Sequence, residues 1–154
     1  MLPFEKILWP TDFSEASYQA LITANELAVH FSAELILMHA IPPVPLMPGY
    51  DAPVGIDSVS YLKEMEATAK DSLNRLDQER VSGEVTLSKL VVHGNPADEI
   101  VRTADEVNAD LIVIATHGLT GWRRFIFGSV AEKVIRMALC PVLSIQIKPE
   151  EGDE

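Results

Sequence analysis

Five short runs of apolar residues recur along the chain and predict buried β-strands. The second and fourth runs are nearly continuous in apolar residues, which is typical of strands covered on both faces, as in a parallel sheet. The predicted strands are Lys6–Trp9, Glu34–Ala40, Val85–Val92, Asp110–Ala115 and Val142–Ile147.

The segments between these runs carry apolar residues at three- and four-residue spacing, the pattern of an amphipathic helix. Ser14 and Asn95 are expected N-caps, and Ser129 followed by Glu132 has the spacing of a capping box. The predicted helices cover residues 15–32 and 58–80, begin at Asn95-Pro96, and begin at Ser129.

Alternating strands and helices predict a single α/β domain over residues 1–148, with a parallel sheet and right-handed crossovers. The connection 41–57 holds five of the ten prolines and leaves from the sheet edge where α/β proteins bind ligands. A mobile flap over that edge and a passive proline-rich excursion are both open interpretations. The acidic tail 149–154 has no apolar anchor and is expected to be disordered.

Charge narrows the range of partners. The chain of 154 residues has 12 basic and 23 acidic side chains, a formal net charge of -11, which disfavours nucleic acids and anionic membranes as partners. It has no apolar run of the roughly 20 residues that cross a bilayer, and no signal-peptide pattern, so a cytoplasmic protein is expected. Cys140 is the only cysteine, which excludes an intrachain disulfide and predicts a buried core residue.

Chemistry is expected where the strands end, because ligands of doubly wound sheets lie outside the carboxyl ends of the strands. Asp12 follows the first strand, and the glycines Gly118 and Gly121 follow the fourth. Gly128-Ser129 then opens a helix, whose N-terminal N–H groups suit a phosphate. A phosphate site and a plain tight turn are both open from the spacing alone. The pattern is neither a Walker A loop nor a Rossmann G-x-G-x-x-G loop.

Three segments of the sequence are more specific evidence than the spacing of these glycines. The segments Lys6–Ser14, Ala115–Gly121 and Gly128–Val134, the last followed by Cys140–Leu143, resemble the universal stress protein family. The resemblance extends over nearly the whole chain. It implies a five-stranded parallel sheet in the order 3-2-1-4-5, with helices on both faces, that binds adenine nucleotides in a Rossmann-like manner and is usually dimeric.

The family's ATP-binding members carry the motif G-x2-G-x9-G-(S/T). Gly118, Gly128 and Ser129 match it, and Ala115 stands at the place of the first glycine. Alanine there is harmless if the backbone angles are ordinary, and costly if φ is positive.

The resemblance also implies roles for single residues. Asp12 would contact the ribose or a metal, although a loop acid or part of a helix cap is the alternative. Ala40 would face the adenine, and the other residues would surround the adenosine and the phosphates. The implied ligand-binding residues are Pro10, Thr11, Asp12, Ala40, Ala115, His117, Gly118, Leu119, Thr120, Gly121, Gly128, Ser129 and Val130.

A metal site built by the protein is disfavoured. His39, His93 and His117 fall at strand ends, but no close histidine pair exists, and strands 3 and 1 are not neighbours in the implied order. A Mg²⁺ or Mn²⁺ carried by ATP phosphates, with Asp12 nearby, is the more plausible metal.

Three hypotheses about function stay open. The first is a stress-response-type regulatory protein that binds ATP, and the second is a slow ATP hydrolase or adenylyl transferase, for which Asp12 and His117 are the nearby candidate groups. The third is a dimeric interaction protein that needs no nucleotide. A homodimer through the last strand, Val142–Ile147, is expected because that strand carries neither charge nor proline to protect an edge. Residues 111–148 hold five basic side chains and one acidic, which permits a small phosphate ligand there.

Overall fold

Strands and helices alternate along the chain. The computed structural model describes residues 2–43, 58–116 and 128–146. Its elements are β1 (Lys6–Pro10), α1 (Glu15–Phe31), β2 (Glu34–Ile41), α2 (Ser58–Arg80), β3 (Leu87–His93), α3 (Pro96–Glu106), β4 (Leu111–Ala115), α4 (Ser129–Met137) and β5 (Val142–Ile145).

The five strands form one parallel sheet in the order β3-β2-β1-β4-β5. Leu8 in the centre of β1 pairs with Ile36 of β2 on one side and with Ile112 of β4 on the other. The predicted α/β fold and strand order are therefore confirmed. The direction of winding reverses between β1 and β4, and this switch point is where a doubly wound sheet opens a crevice at its carboxyl edge.

Two apolar cores cover the two faces of the sheet. Successive side chains of a strand point to opposite faces, so β1 contributes Ile7 and Trp9 to one core and Leu8 to the other. The first core also contains buried residues of α1 and α2, and the second contains those of α3 and α4. Trp9 is fully buried, and its indole Nε1 donates to the backbone oxygen of Ser17 at 3.1 Å, which satisfies its one polar atom.

Several strand ends differ from the predicted positions. β3 begins at Leu87 rather than Val85, because the Val85 N–H donates to the Ser82 carbonyl in a turn. β2 continues to Ile41, so the long connection begins at Pro42. The proline-rich residues 44–57 and the acidic tail lie outside the described residues, as does Ile147.

The helix starts confirm two predicted caps and correct a third. The side chains of Ser14 and Asn95 accept from backbone N–H groups three residues on, as N-caps do. The prediction of a capping box at Ser129 is wrong, because Gly128 has the extended backbone of an N-cap and Ser129 is the first helical residue. Glu132 is therefore one residue too far along for a capping box, and it binds Arg136 instead, at 2.7 Å.

Cys140 precedes β5 and is half-buried against the core of α3 and α4, rather than fully buried as expected. Burial raises the pKa of its thiol above the usual value, which keeps the sulfur protonated near neutral pH. No helix in the described part of the chain is long and apolar enough to cross a membrane.

Candidate functional site

A cavity of about 210 Å³ opens at the carboxyl edge of the sheet, at the switch point between β1 and β4. Its walls come from the ends of β1, β2 and β4 and from the first turns of α3 and α4. The lining residues are Pro10, Thr11, Asp12, Ser17, His39, Ala40, Pro96, Ile100, Ile114, Ala115, Thr116, Gly128, Ser129, Val130 and Ala131.

Hydrogen bonds fix the loop between β1 and α1, which forms one wall. The Thr11 N–H donates to the Met38 carbonyl at 2.8 Å, and the Thr11 hydroxyl lies 2.8 Å from that of Ser17. The Asp12 carboxylate accepts from the Ser14 N–H at 3.0 Å. The loop therefore presents a carboxylate on a backbone whose position is set by its own side chains.

The start of α4 forms another wall of the cavity. Gly128 has φ -70° and ψ 155°, and its N–H donates to the Thr116 carbonyl at 2.5 Å, which ties the helix start to the end of β4. Glycine has no side chain with which to cap the helix, so the N-cap side chain satisfies none of the first-turn N–H groups. Three donors and the positive end of the helix dipole thus lie beside the cavity, an arrangement that suits an anion.

Ala115, the departure from the family motif, ends β4 and is almost fully buried. Its backbone is that of a strand, and it is not among the non-glycine residues with positive φ, which in the described chain are Phe13, Ser32 and Asn108. Alanine therefore occupies the place of the motif's first glycine without backbone strain, which is the case in which the substitution is harmless.

Eight of the thirteen predicted site residues line the one cavity: Pro10, Thr11, Asp12, Ala40, Ala115, Gly128, Ser129 and Val130. The other five, His117, Gly118, Leu119, Thr120 and Gly121, lie outside the described residues.

Sequence reasoning missed the contribution of α3 to the cavity. Pro96 and Ile100 line it with apolar surface beside Ala40 and Ile114. The signal was present, since Asn95-Pro96 follows the third strand at the same edge of the sheet. The pattern by itself predicts only a helix cap.

Two of the strand-end histidines, His39 and His93, contact other residues of the chain, and the third, His117, lies outside the described residues. His39 Nδ1 lies 2.8 Å from the Thr11 carbonyl oxygen, and His93 Nε2 lies 3.4 Å from Glu66 on α2. Within residues 2–43, 58–116 and 128–146, no three His, Cys, Asp or Glu side chains lie together as a metal site would require. Asp12 is the one carboxylate among the described residues that line the cavity.

The basic residues of the last segment are partly neutralised where they are described. Lys133 contacts Asp98 of α3 at 2.7 Å, and Arg136 contacts Glu132 at 2.7 Å. Both pairs are exposed and contribute little to stability. Among the described lining residues there is no lysine or arginine, so the start of α4 is the feature there that favours an anion. Arg123 and Arg124, two of the five basic residues of segment 111–148, lie outside the described residues.

Comparisons with known proteins agree with the fold and the motifs. The model of the universal stress protein family matches residues 3–146. Universal stress protein MJ0531 of Methanocaldococcus jannaschii is 35% identical over 148 residues, which cover 96% of this chain and 85% of that protein. The structure of universal stress protein UspA from Lactobacillus plantarum has a TM-score of 0.77 at 27% identity, and the match covers 92% of this chain and 97% of that one.

A universal stress protein solved in complex with cAMP has a TM-score of 0.65 at 25% identity, again over 92% of this chain and 97% of that one. The family model covers nearly the whole chain, and the sheet order, the glycine-capped helix and the edge cavity accompany it. This chain belongs to the universal stress protein family.

Proposed function

We propose that this chain is a regulatory protein that binds an adenine nucleotide, ATP, in the cavity at the carboxyl edge of β1 and β4. The observation that carries the proposal is the glycine-capped start of α4, which lines the same cavity as the Asp12 carboxylate. One wall offers hydrogen-bond donors for phosphates, and the other offers an acceptor for ribose hydroxyls. A nucleotide carries both kinds of group in one molecule.

The proposed pose follows from this polarity. The phosphates lie against Gly128, Ser129 and Val130, and the ribose lies against Asp12, with Pro10 and Thr11 beside the adenosine. The adenine faces Ala40, at the apolar end of the cavity formed with Pro96 and Ile100. His117 to Gly121 would close around the ribose and phosphates. The related structure with cAMP supports the choice of an adenine nucleotide as the ligand class.

The proposal favours binding over hydrolysis. A hydrolase needs a group that positions or activates water beside the γ-phosphate. In the described loop, the Asp12 carboxylate already accepts from the Ser14 N–H, in a contact typical of a helix-leading turn. This contact supports a structural and ligand-holding role for Asp12.

Bound nucleotide tests the proposal directly. One sample of protein purified without added nucleotide is denatured, and its supernatant is analysed by mass spectrometry for adenine nucleotides. A second, native sample is titrated with ATP by calorimetry. We expect saturable binding of ATP and intact ATP after several hours. No binding at millimolar ATP would overturn the proposal, and release of phosphate at one turnover or more per hour would replace it with the hydrolase.

We also propose that two copies pair through β5. The two edge strands of the sheet differ: β3 carries Lys89 within it, whereas β5 has neither charge nor proline. A charged side chain protects an edge from pairing with another copy, so β5 is the unprotected edge. Nearby Leu139 is 86% exposed and Leu143 of β5 is 37% exposed, which gives the edge an apolar border. A twofold pairing of β5 would cover both.

A single charge on this strand should break the dimer. Leu143→Lys places an ammonium on the pairing strand, and we expect it to convert a dimer to a monomer in light scattering at micromolar concentration. Leu62→Lys is the matched control, because Leu62 is 38% exposed on α2, which packs against β2 and β3 at the other end of the sheet, and it should leave the dimer intact. A wild-type monomer at that concentration would refute the pairing.

A further inference from the structure

His39 makes contacts that the proposed nucleotide pose does not use. It lies near the end of β2, next to Ala40, and its side chain is half-buried. Its Nδ1 lies 2.8 Å from the backbone carbonyl oxygen of Thr11. A carbonyl oxygen can only accept, so Nδ1 carries the proton in this contact. The imidazole therefore ties the end of β2 to the loop that follows β1.

Phe13, on the other side of Asp12, has an unusual backbone. Its φ is 63°, a left-handed conformation that a bulky residue rarely adopts. Its ring centroid lies 4.5 Å from that of His39, and its N–H donates to the Thr11 hydroxyl at 2.9 Å. Backbone strain of this kind persists only where the surroundings fix it, and His39 is one of the groups that do so.

His39 therefore contacts both neighbours of Asp12, Thr11 through the hydrogen bond and Phe13 through the ring. We propose that His39 is a positioning residue of the nucleotide site, which holds the Asp12 carboxylate at the cavity by fixing the backbone on either side of it. The inference rests on the proposed function and assigns His39 no contact with the nucleotide.

Substitutions at His39 can distinguish the role of its hydrogen bond from the role of its side-chain volume. The ring borders a second cavity, of about 330 Å³, against α2, so smaller and differently shaped side chains fit without a clash. His39→Leu removes the donor and should weaken ATP binding about tenfold, the effect of losing one good contact to a charged or positioned group. His39→Asn should keep affinity within about threefold of wild type, because its amide nitrogen is bonded to Cγ as Nδ1 is.

His39→Gln is the matched control for that rescue. It carries the same amide group one bond further from the backbone, so its donor misses the Thr11 carbonyl, and we expect the loss seen with His39→Leu. Equal affinity of the asparagine and glutamine variants would overturn the proposal. Thermal unfolding of each variant shows that it is folded, and the asparagine–glutamine pair stays informative if the leucine variant is not.

A double-mutant cycle with Asp12→Ala tests whether His39 acts through the carboxylate. We expect Asp12→Ala to weaken ATP binding about tenfold, and His39→Leu to cause no further loss in that background. A full second tenfold loss would mean that His39 acts independently of Asp12, and the proposal would be wrong. Absence of ATP binding in the wild-type protein would instead refute the proposed function, so the two failures are distinguishable.

Discussion

The helices α3 and α4 begin at the same edge of the sheet and line the same cavity, but their N-termini are capped differently. At α3, the Asn95 side chain accepts from the Asp98 N–H, and Pro96 at the first position has no N–H to satisfy. At α4, Gly128 provides no side-chain cap. Among the described residues, the chain thus caps the first helix start with its own side chain, whereas the start of α4 has no side-chain cap.

Charge does not distinguish the two helix starts, because the acids of both are paired. In the first turn of α3, Asp98 contacts Lys133 at 2.7 Å and Glu99 contacts Arg102 at 2.5 Å. Near the start of α4, Glu132 contacts Arg136 at 2.7 Å. The difference between the two helix starts therefore lies in their caps.

The largest expected effect comes from filling the space in front of α4. Gly128→Val should weaken ATP binding by at least about 100-fold, because a branched side chain displaces the phosphates from two or more charge-assisted hydrogen bonds. The extended backbone of Gly128 is one that valine adopts, so the substitution introduces no backbone strain. Calorimetric titration with ATP measures the loss.

Gly83→Val is the matched control for that substitution. A Cβ at Gly83 meets no atom within 4 Å, so the affinity for ATP should stay as in wild type. Unchanged affinity in Gly128→Val would place the phosphates elsewhere and break the contrast between the two helix starts.

A smaller effect is expected from making α4 resemble α3. Gly128→Asn gives α4 a capping side chain that accepts from its first-turn N–H groups. We expect ATP affinity to fall about tenfold because the amide oxygen competes with phosphate for these donors, while the free energy of unfolding rises by a few tenths of a kcal/mol. Urea unfolding and calorimetry on the same preparation measure both. A variant that binds ATP as tightly as wild type would show that these N–H groups do not hold the ligand.

The smallest effect on binding is expected from making α3 resemble α4. Asn95→Ala removes the cap and should lower the free energy of unfolding by about 1 kcal/mol. ATP affinity should stay within about twofold, since the proposed pose gives the N–H groups of α3 no ligand acceptor and gives Pro96 only an apolar contact with the adenine. Urea unfolding and calorimetric titration with ATP measure the two quantities. Loss of affinity comparable to that of Gly128→Asn would mean that both helix starts hold the nucleotide.

Most of the fold could be predicted from the sequence, because local patterns of apolar residues indicate the strands and helices. Continuous apolar runs such as Leu35–Met38 are typical of strands covered on both faces, and the periodic segments between them are typical of the helices that cover such strands. The strand order was taken from the family resemblance, because alternation alone leaves it open. The observed strand ends differ from the predicted ones by one or two residues. At the start of β3, for example, the Val85 N–H is hydrogen-bonded in a turn and is not available to the sheet.

The site was less accessible to sequence reasoning. Ser129 has the residue type of an N-cap, yet the extended conformation falls on Gly128, which no propensity distinguishes from a turn glycine. His39 was noticed only as a strand-end histidine, since its bond to Thr11 joins residues 28 positions apart. Long-range pairings of this kind depend on the register of the sheet, which no local pattern specifies.

The backbone amides of the two helix starts give the most direct test of the central claim. In a titration of ¹⁵N-labelled protein with ATP, the amide resonances of Ser129, Val130 and Ala131 should shift strongly, because their N–H groups acquire phosphate acceptors. Those of Asp98 and Glu99 should shift little. Large shifts at Asp98 and Glu99 with none at Ser129, Val130 and Ala131 would contradict the assignment of the phosphate site to α4.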